Sequence, residues 1–407
     1  MLLLKLAFLN IGRNPRRSLI TIVAVGVGLA SLIFLWGFSD GTAEEMRENV
    51  IRLFTGHVQI HARGFEKTLA PERTLPDRTR LLEKVAAQPE VVALTERVKC
   101  EALIGTTENS RGVLLMGVDP KRENLATDLK NHIKRGEFLS PGQNRDVLVG
   151  DRLAEKIRID VGDKVVVMTQ AIDGTLSGYA YHVKGIFHTG SQQVDEVTVY
   201  VSLAAAQELL GLGEETHEIV IRLRDRNAIP SFLAFTKRTL DEKTYEILSW
   251  NEIVPEPEMW LKWYDAIMRT LLIAVMVVIG VSIMNTVLMS VLERTHELGV
   301  MMAIGTSPTQ LMSLILLETL VLEFFGILLG LAAGYLVVFY FGKVGISFRE
   351  LEAALSQSYV STVTYTHVEP LHVAESVITL LFITTLISLY PAWKAGRMEP
   401  LEAIYRS

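Results

Sequence analysis

The sequence predicts an integral membrane protein with four transmembrane α-helices and a large extracytoplasmic α/β domain between the first and second helices. Three observations support this fold class. The 407 residues are 49% hydrophobic, and the mean hydropathy is +0.29, which is high for a soluble protein of this length. Four runs are nearly free of charge, and each has about the 20 residues that a spanning helix needs. The long segment between the first two runs alternates short strand-like and helix-like patterns.

The four transmembrane helices are predicted at residues 18–39, 266–292, 311–342 and 373–393. The first could instead be a signal peptide, but WGFSDGTAEEM at its end lacks a small-x-small cleavage site, which favours an uncleaved helix. The others could be buried helices of a soluble core, but 270–292 is apolar on all sides, which is rare in soluble proteins. The four runs are therefore interpreted as membrane spans.

Basic residues near the helix ends predict the orientation. They precede the first helix and follow the last one, at Lys5, Arg13, Arg16, Arg17, Lys394, Arg397 and Arg406. Acidic residues follow the first helix, at Asp40, Glu44, Glu45 and Glu48. Because positive charge is enriched on the cytoplasmic side, both termini (1–17 and 394–407) and the 293–310 loop are expected there. Residues 40–265 and the short loop 343–372 are then expected outside the cytoplasm.

The segment 40–265 has the pattern of a folded α/β domain. Strands are predicted at 57–61, 98–105, 112–119, 146–150, 163–169, 179–187, 195–201 and 217–223, and helices at 78–88, 202–213 and 229–243. The polar stretch LSPGQNRD at 139–146 is predicted to be a turn or linker between two parts of the domain.

The sequence contains no motif for catalysis or for a bound cofactor. It has no G-x-x-x-x-G-K-[ST] phosphate loop, no H-E-x-x-H and no G-x-S-x-G. The single Cys100 cannot form an internal disulfide, and a net charge of −6 does not suggest a nucleic-acid partner. His57 and His61 could share a metal ion, but solvated or hydrogen-bonded surface histidines are the simpler interpretation. The sequence thus predicts neither an enzyme nor a catalytic or metal site.

The third membrane segment carries two unusual features. Gly326, Gly330 and Gly334 recur every four residues, a spacing that lets a second helix approach closely, either in a dimer or within one subunit. Glycine is also simply common in transmembrane helices. Glu318 is expected near the membrane interface, while Glu323 lies deeper and needs a partner or a wet cavity. A proton relay through these acids is the alternative to a helix-pairing role.

The loop ERTHELGVMMAIGTSPTQ, residues 293–310, joins the second and third membrane segments. Its pattern predicts a short helix that ends at Gly305 and a new helix with Thr306 or Ser307 as N-cap and Pro308 in the first turn. Such a helix could dock into a groove of another protein. It could equally be an elbow on the membrane surface.

This loop and its continuation resemble the pattern E-R-x-x-E-[IL]-G-x-x-x-A-x-G-x-x-x-x-Q, followed by a Glu, of FtsX/MacB/LolC–LolE permeases of ABC transporters. The matching residues are Glu293, Arg294, Glu297, Gly299, Ala303, Gly305, Gln310 and Glu318. The N-terminal segment 1–17 resembles the family's amphipathic helix. GHVQIHARGFEK at 56–67 and the segment 181–211 are most similar to the lipoprotein-releasing branch.

The resemblance implies a dimeric permease in the bacterial inner membrane, with a MacB-like periplasmic core domain between the first two spans. The 293–310 loop would be the coupling helix that docks on a separate ATPase subunit, which binds ATP; the permease itself needs no cofactor. The second permease would be another copy or a paralogue. Acylated lipoproteins would be extracted from membrane lipids, at about 0.8 kcal/mol per CH₂ withdrawn, and passed to a periplasmic chaperone. The loop at 170–180 is a candidate hook for that chaperone. A MacB-like efflux permease and an FtsX-like mechanotransmission protein that controls a cell-wall hydrolase are the alternatives.

Overall fold

The computed structural model describes residues 2–142, 144–348 and 363–399. Two compact units are distinguished among these residues: a helical unit from residues 2–43, 261–347 and 363–399, and an α/β unit from residues 44–142, 144–260 and 348. The central part of the predicted loop 343–372 and the end of the predicted tail 394–407, including Pro400, lie outside the described residues.

The α-helices are α1 (Leu2–Arg13), α2 (Pro15–Val50), α3 (Phe65–Thr68), α4 (Arg78–Ala86), α5 (Pro120–Ala126), α6 (Asp151–Ile157), α7 (Gln192–Val197), α8 (Leu203–Leu210), α9 (Ile229–Thr239), α10 (Trp250–Ile253), α11 (Glu256–Glu293), α12 (Thr295–Ala303), α13 (Pro308–Val344) and α14 (Pro370–Gly396). Short 3₁₀ turns cover Leu129–His132 and Arg226–Ala228. Helix α2 continues as a π-helical turn over Ile51–Thr55.

The β-strands are β1 (Val58–Ala62), β2 (Val91–Gly105), β3 (Ser110–Val118), β4 (Ile133–Gly136), β5 (Asp146–Gly150), β6 (Lys164–Gln170), β7 (Leu176–Phe187), β8 (Thr198–Ser202), β9 (Glu218–Leu223), β10 (Tyr245–Ser249), β11 (Ile346–Ser347) and β12 (Val363–Thr364). The last two form a small antiparallel pair in the helical unit.

Among the described residues, four helices are long and apolar enough to cross a membrane. They cover Pro15–Thr55, Glu256–Glu293, Pro308–Val344 and Pro370–Gly396. All four extend beyond the apolar runs, because an apolar run reflects only the thickness of the hydrocarbon layer, whereas a helix continues until its backbone is capped or broken. The first comprises 41 residues, or about 60 Å of helix against a hydrocarbon thickness of about 30 Å.

Close contacts along a glycine stripe join two helices of the helical unit. Each glycine of the stripe on α13 lies against α2: Gly326 contacts Val25, Gly330 contacts Leu29 and Gly334 contacts Ile33. A Cβ at Gly330 would lie 2.8 Å from the Leu29 Cβ and 2.9 Å from the Gly26 carbonyl oxygen. Because such distances are shorter than real Cβ contacts, the two backbones can approach only where a side chain is absent. The stripe therefore forms a seam within one subunit.

The α/β unit contains one large mixed sheet whose strands lie in the order β10-β1-β9-β2-β3-β8-β5-β7-β4, with β6 paired to both β2 and β7. The pairing of β6 closes a ring through β2, β3, β8, β5 and β7. Strand β2 makes this possible because it is 15 residues long: its first half pairs with β9 and its second half with β3 and β6.

Three hydrophobic clusters stabilise the described part of the α/β unit. One fills the ring with side chains such as Val98, Val149 and Tyr181, and α8 packs against it. The second lies where α4 and α9 cover β1 and β9, around Ile60, Ile221 and Phe232. The third lies around Met116, Leu148 and Phe187. The unit is thus a mixed α/β domain, in agreement with the expected fold class, but ring closure was not anticipated.

Two expectations for this unit are wrong. The strand predicted at 195–201 begins only at Thr198, because the preceding residues form α7. The segment 139–146 contains irregular chain between β4 and β5, and both of these strands pair with β7. It therefore lies within one sheet and does not separate two parts of the domain.

Candidate functional site

The segment between α11 and α13 forms a short helix and a capped turn. Helix α12 buries only Leu298 and Gly299, whereas Ile304 just beyond it is 80% exposed. Gly305 has φ +105°, a left-handed conformation that glycine adopts without strain. Ser307 then caps α13, and Pro308 occupies its first turn. The predicted helix, stop and restart are confirmed.

An ion pair links this segment to α13. Arg294 Nη1 lies 3.1 Å from both carboxylate oxygens of Glu318, and the two side chains are only 12% and 14% exposed. Arg294 Nε also donates to Glu297 at 3.2 Å. The guanidinium group therefore bridges two acids, one on α12 and one on α13. The ion pair explains why an acid is accommodated near the start of α13.

The N-terminal helices contact the same segment. Arg13, at the end of α1, forms an ion pair with Glu297. Arg17 Nη1, in the first turn of α2, lies 2.9 Å from Glu293 Oε2. The hydrogen bond from Arg13 holds the pKa of the Glu297 carboxyl below its usual value, so this carboxylate stays ionised at neutral pH. Charged contacts with α1, α2 and α13 thus position α12.

Glu323 is buried one turn and a half further along α13. Its residue is 1% exposed, and the Thr384 hydroxyl of α14 donates to its Oε1. Within the described part of the chain, its other oxygen has no hydrogen-bond partner. Threonine does not titrate, so this contact favours the helix-pairing interpretation over a proton relay.

Sequence reasoning missed a second polar contact in the helical unit. Asp40 of α2 lies 2.8 Å from His372 Nδ1 of α14 and accepts a hydrogen bond from the Glu369 backbone N–H at 2.9 Å. The imidazole also stacks on Trp36, with ring centroids 4.0 Å apart. The signal was present as an acid directly after the first apolar run and a histidine just before the last. Only the packing of α2 against α14 shows that they meet.

The histidines at the start of the α/β unit are not on its surface, as the simpler sequence interpretation held. His57 is 7% exposed and its Nδ1 accepts the Leu223 backbone N–H at 3.2 Å, while His61 is fully buried 3.4 Å from Glu218. They were misjudged because successive residues of β1 are buried, so side chains on both faces of this strand are covered.

Next to His61 lies a fully buried cluster of charges. Arg97 pairs with Glu123 at 2.6 Å and with Glu218 at 3.4 Å. Lys99 holds Glu66 at 2.9 Å beside the same group. Two cations thus face three acids, and each acid pairs with one of the two cations.

The candidate hook at 170–180 is the tip of the β6–β7 hairpin. Asp173 Oδ1 accepts the Thr175 backbone N–H at 2.9 Å, and Gly174 has φ +82°. Ile172 and Leu176 are 44% and 76% exposed. The hairpin thus presents two apolar side chains to solvent.

Comparison with known proteins gives two family matches. Residues 18–234 match the MacB-like periplasmic core domain, and residues 269–400 match the FtsX-like permease C-terminal region. Together, the matched segments include most of the α/β unit and the whole segment 293–310.

Relatives match along almost the whole chain. The lipoprotein-releasing system transmembrane protein LolC of Neisseria meningitidis is 26% identical over 96% of this chain and 95% of its own length. The macrolide export ATP-binding/permease protein MacB of Psychrobacter cryohalolentis is 23% identical over 99% of this chain, which spans 59% of that longer protein. The crystal structure of the periplasmic region of MacB from Actinobacillus actinomycetemcomitans aligns with 52% of this chain and 97% of that chain, at 14% identity and a TM-score of 0.37.

Proposed function

The chain belongs to the FtsX/MacB permease family, whose members are non-catalytic membrane subunits of ABC transporters, and from this premise we propose that it extracts lipoproteins from the inner membrane. In this proposal, ATP hydrolysis by a separate subunit drives a conformational change of the periplasmic domain. The extracted lipoproteins then pass toward the outer membrane. Membership of the family implies an ABC ATPase partner and a multi-pass protein with a periplasmic domain.

The contacts of α12 carry the coupling part of the proposal. The segment 293–310 makes charged contacts with three other helices, through Arg13, Arg17 and Arg294. A force applied to α12 by a docked ATPase would reach α13 through Arg294, which contacts both Glu297 and Glu318. Glu293, Arg294, Glu297, Gly299, Ala303 and Gly305 are the residues proposed to form the coupling site.

The proposed lipoprotein substrate rests on the extent of the likeness to LolC. LolC of Neisseria meningitidis is 26% identical to this chain, against 23% for MacB of Psychrobacter cryohalolentis. The higher identity to LolC supports lipoprotein release over macrolide export.

The remaining features of the proposal follow from charge and from the family. Both termini and the segment 293–310 would face the cytoplasm, since basic residues flank these ends of the helices. Two permeases, identical or paralogous, would form the transporter. The exposed hairpin tip at 170–180 would receive the periplasmic chaperone.

The test is purification of the tagged full-length chain in mild detergent, with partners identified by mass spectrometry. ATPase activity is then measured with triacylated lipoprotein and, as the matched control, with the same protein lacking its acyl chains. Recovery of an ABC ATPase and a response only to the acylated form support the proposal.

Two other outcomes contradict parts of it. An ATPase without a lipoprotein response, recovered with a periplasmic adaptor or a cell-wall hydrolase, would assign the chain to efflux or to mechanotransmission. If no ATPase is recovered from gently solubilised membranes or by crosslinking in cells, the coupling role of 293–310 is wrong.

A further inference from the structure

A second group of titratable side chains lies in the α/β unit, where two parallel strands end side by side. Strands β5 and β7 pair in parallel, with Gly150 opposite Phe187. The next residues along each strand, Asp151 and His188, therefore leave the same edge of the sheet. Helix α7 adds Asp195 from the segment that follows. Three potential metal ligands, separated by up to 44 positions in sequence, thus converge.

The potential ligand atoms point to a common centre. His188 Nδ1 lies 2.9 Å from Asp151 Oδ2 and 3.3 Å from Asp195 Oδ2, and the three atoms lie within 4.8 Å of one another. These distances suit either a cation shared by the three groups or an ion pair between a protonated His188 and the two acids.

The two acids are buried and incompletely compensated. The side chains of Asp151 and Asp195 are 9% and 1% exposed. Asp151 Oδ1 has no hydrogen-bond partner among the described residues. A buried carboxylate oxygen without a partner costs free energy, and a cation bound at this position would remove that cost.

Neighbouring groups hold the potential ligands in place. Thr189 donates to Asp195 Oδ1 from its backbone N–H at 3.0 Å and from its hydroxyl at 2.7 Å. The backbone N–H of His188 donates to the His132 carbonyl oxygen at 2.9 Å. Such supporting hydrogen bonds around the ligands are typical of metal sites.

Lys134 is the only lysine or arginine seen in contact with this group in the described ranges. Its Nζ lies 3.2 Å from Asp151 Oδ2, and its side chain is 58% exposed. A flexible, largely solvated ammonium group can move away at little cost. By contrast, Arg97 and Lys99, which are the cations next to His61, are only 1% and 11% exposed.

We propose that Asp151, His188 and Asp195 form a binding site for a divalent transition-metal ion of the Zn²⁺ class. One imidazole nitrogen and two carboxylate oxygens suit Zn²⁺, whereas Ca²⁺ and Mg²⁺ prefer oxygen ligands alone. The ion would link the start of α6 to the loop between β7 and α7 and stabilise this edge of the ring.

The test is Zn²⁺ titration of the full-length protein in detergent, purified with a histidine-free tag and stripped with a chelator. We expect one Zn²⁺ per chain and a rise in the melting temperature on binding. His188→Gln should weaken binding by about tenfold or more. His182→Gln removes an exposed histidine of β7 outside the cluster and should leave the affinity unchanged.

A third variant distinguishes a metal site from an ion pair between a protonated His188 and the acids. Lys134→Gln removes the competing charge and should tighten Zn²⁺ binding by roughly tenfold at low salt. If His188→Gln does not fold, as judged by gel filtration, Asp151→Asn serves in its place.

Stoichiometric binding that survives the loss of either ligand would place the ion elsewhere and overturn the proposal. Absence of stoichiometric binding to a folded wild-type protein would also overturn it. Neither result bears on the proposed lipoprotein release, which is measured separately by the response of the ATPase.

Discussion

At the scale of single residues, Glu297 has two roles to consider: it can position α12 within the chain, and it can contact a docked ATPase. Its carboxylate pairs with Arg13 and Arg294 and yet remains 42% exposed. It can therefore hold α12 against α1 and still contact a partner protein. The sequence pattern marked this residue, but only the structure shows that Arg13, 284 positions away, is its partner.

We expect Glu297→Lys to uncouple the ATPase from the permease. The reversed charge would repel Arg13 and Arg294. A loss of about 1.4 kcal/mol in the binding free energy of the ATPase would weaken its binding by about tenfold. The measurement is the amount of ATPase recovered with the tagged permease and its stimulated rate. The matched control is Glu256→Lys, which makes the same change of charge at the exposed first residue of α11, far from α12 in sequence.

A charge swap identifies the role of the Arg13 contact. If Glu297 acts by positioning α12, Arg13→Glu combined with Glu297→Arg should restore much of the activity that Glu297→Arg loses. An intact complex with full activity in Glu297→Lys would show that this carboxylate has no part in coupling.

At the scale of elements, the pairing of α2 with α13 depends on the absence of side chains at three positions. The glycine spacing predicted a close helix contact. It left open whether the partner was a second subunit, because any helix can use such a surface. The contacts with Val25, Leu29 and Ile33 identify a helix of the same chain as the partner.

Gly330→Ile should separate these helices and destabilise the helical unit by about 1–3 kcal/mol, the usual cost of overpacking. The new side chain would meet the Gly26 backbone, which cannot rotate away. The measurement is the melting temperature of the purified protein in detergent. Ala332→Ile, at an exposed position of the same helix, adds similar bulk and should have little effect; an equal loss in both variants would contradict the proposed seam.

At the scale of the whole molecule, the orientation in the membrane follows from charge and is open to direct measurement. Asp173→Cys, at the exposed hairpin tip, should react with a membrane-impermeant thiol reagent in spheroplasts. Ile304→Cys, beyond α12, should react only after the inner membrane is permeabilised. The opposite pattern would reverse the proposed topology.

The native cysteine does not interfere with this measurement. Cys100 is buried in the ring core, and burial raises the pKa of its thiol to about 12. Little reactive thiolate therefore forms at neutral pH. A Cys100→Ala background, which must give no labelling, is the control.

The sequence by itself determined the features that depend on neighbouring residues. The four spans follow from runs of apolar residues, and the turn at 304–308 follows from Gly305, Ser307 and Pro308. Strand β5 was predicted with its observed bounds, because its apolar run is bordered on both sides by polar or turn-forming residues. Each of these signals acts over a few positions of the chain.

The tertiary structure alone decided which distant segments meet. Ring closure through β6, the Asp40–His372 contact and the convergence of Asp151, His188 and Asp195 all join residues far apart in sequence. Burial of His57 and His61 likewise depends on the strands on either side of β1. Local sequence patterns constrain the backbone of each segment. The partner of each segment is selected by packing from many segments of similar composition, so the sequence alone could not identify these partners.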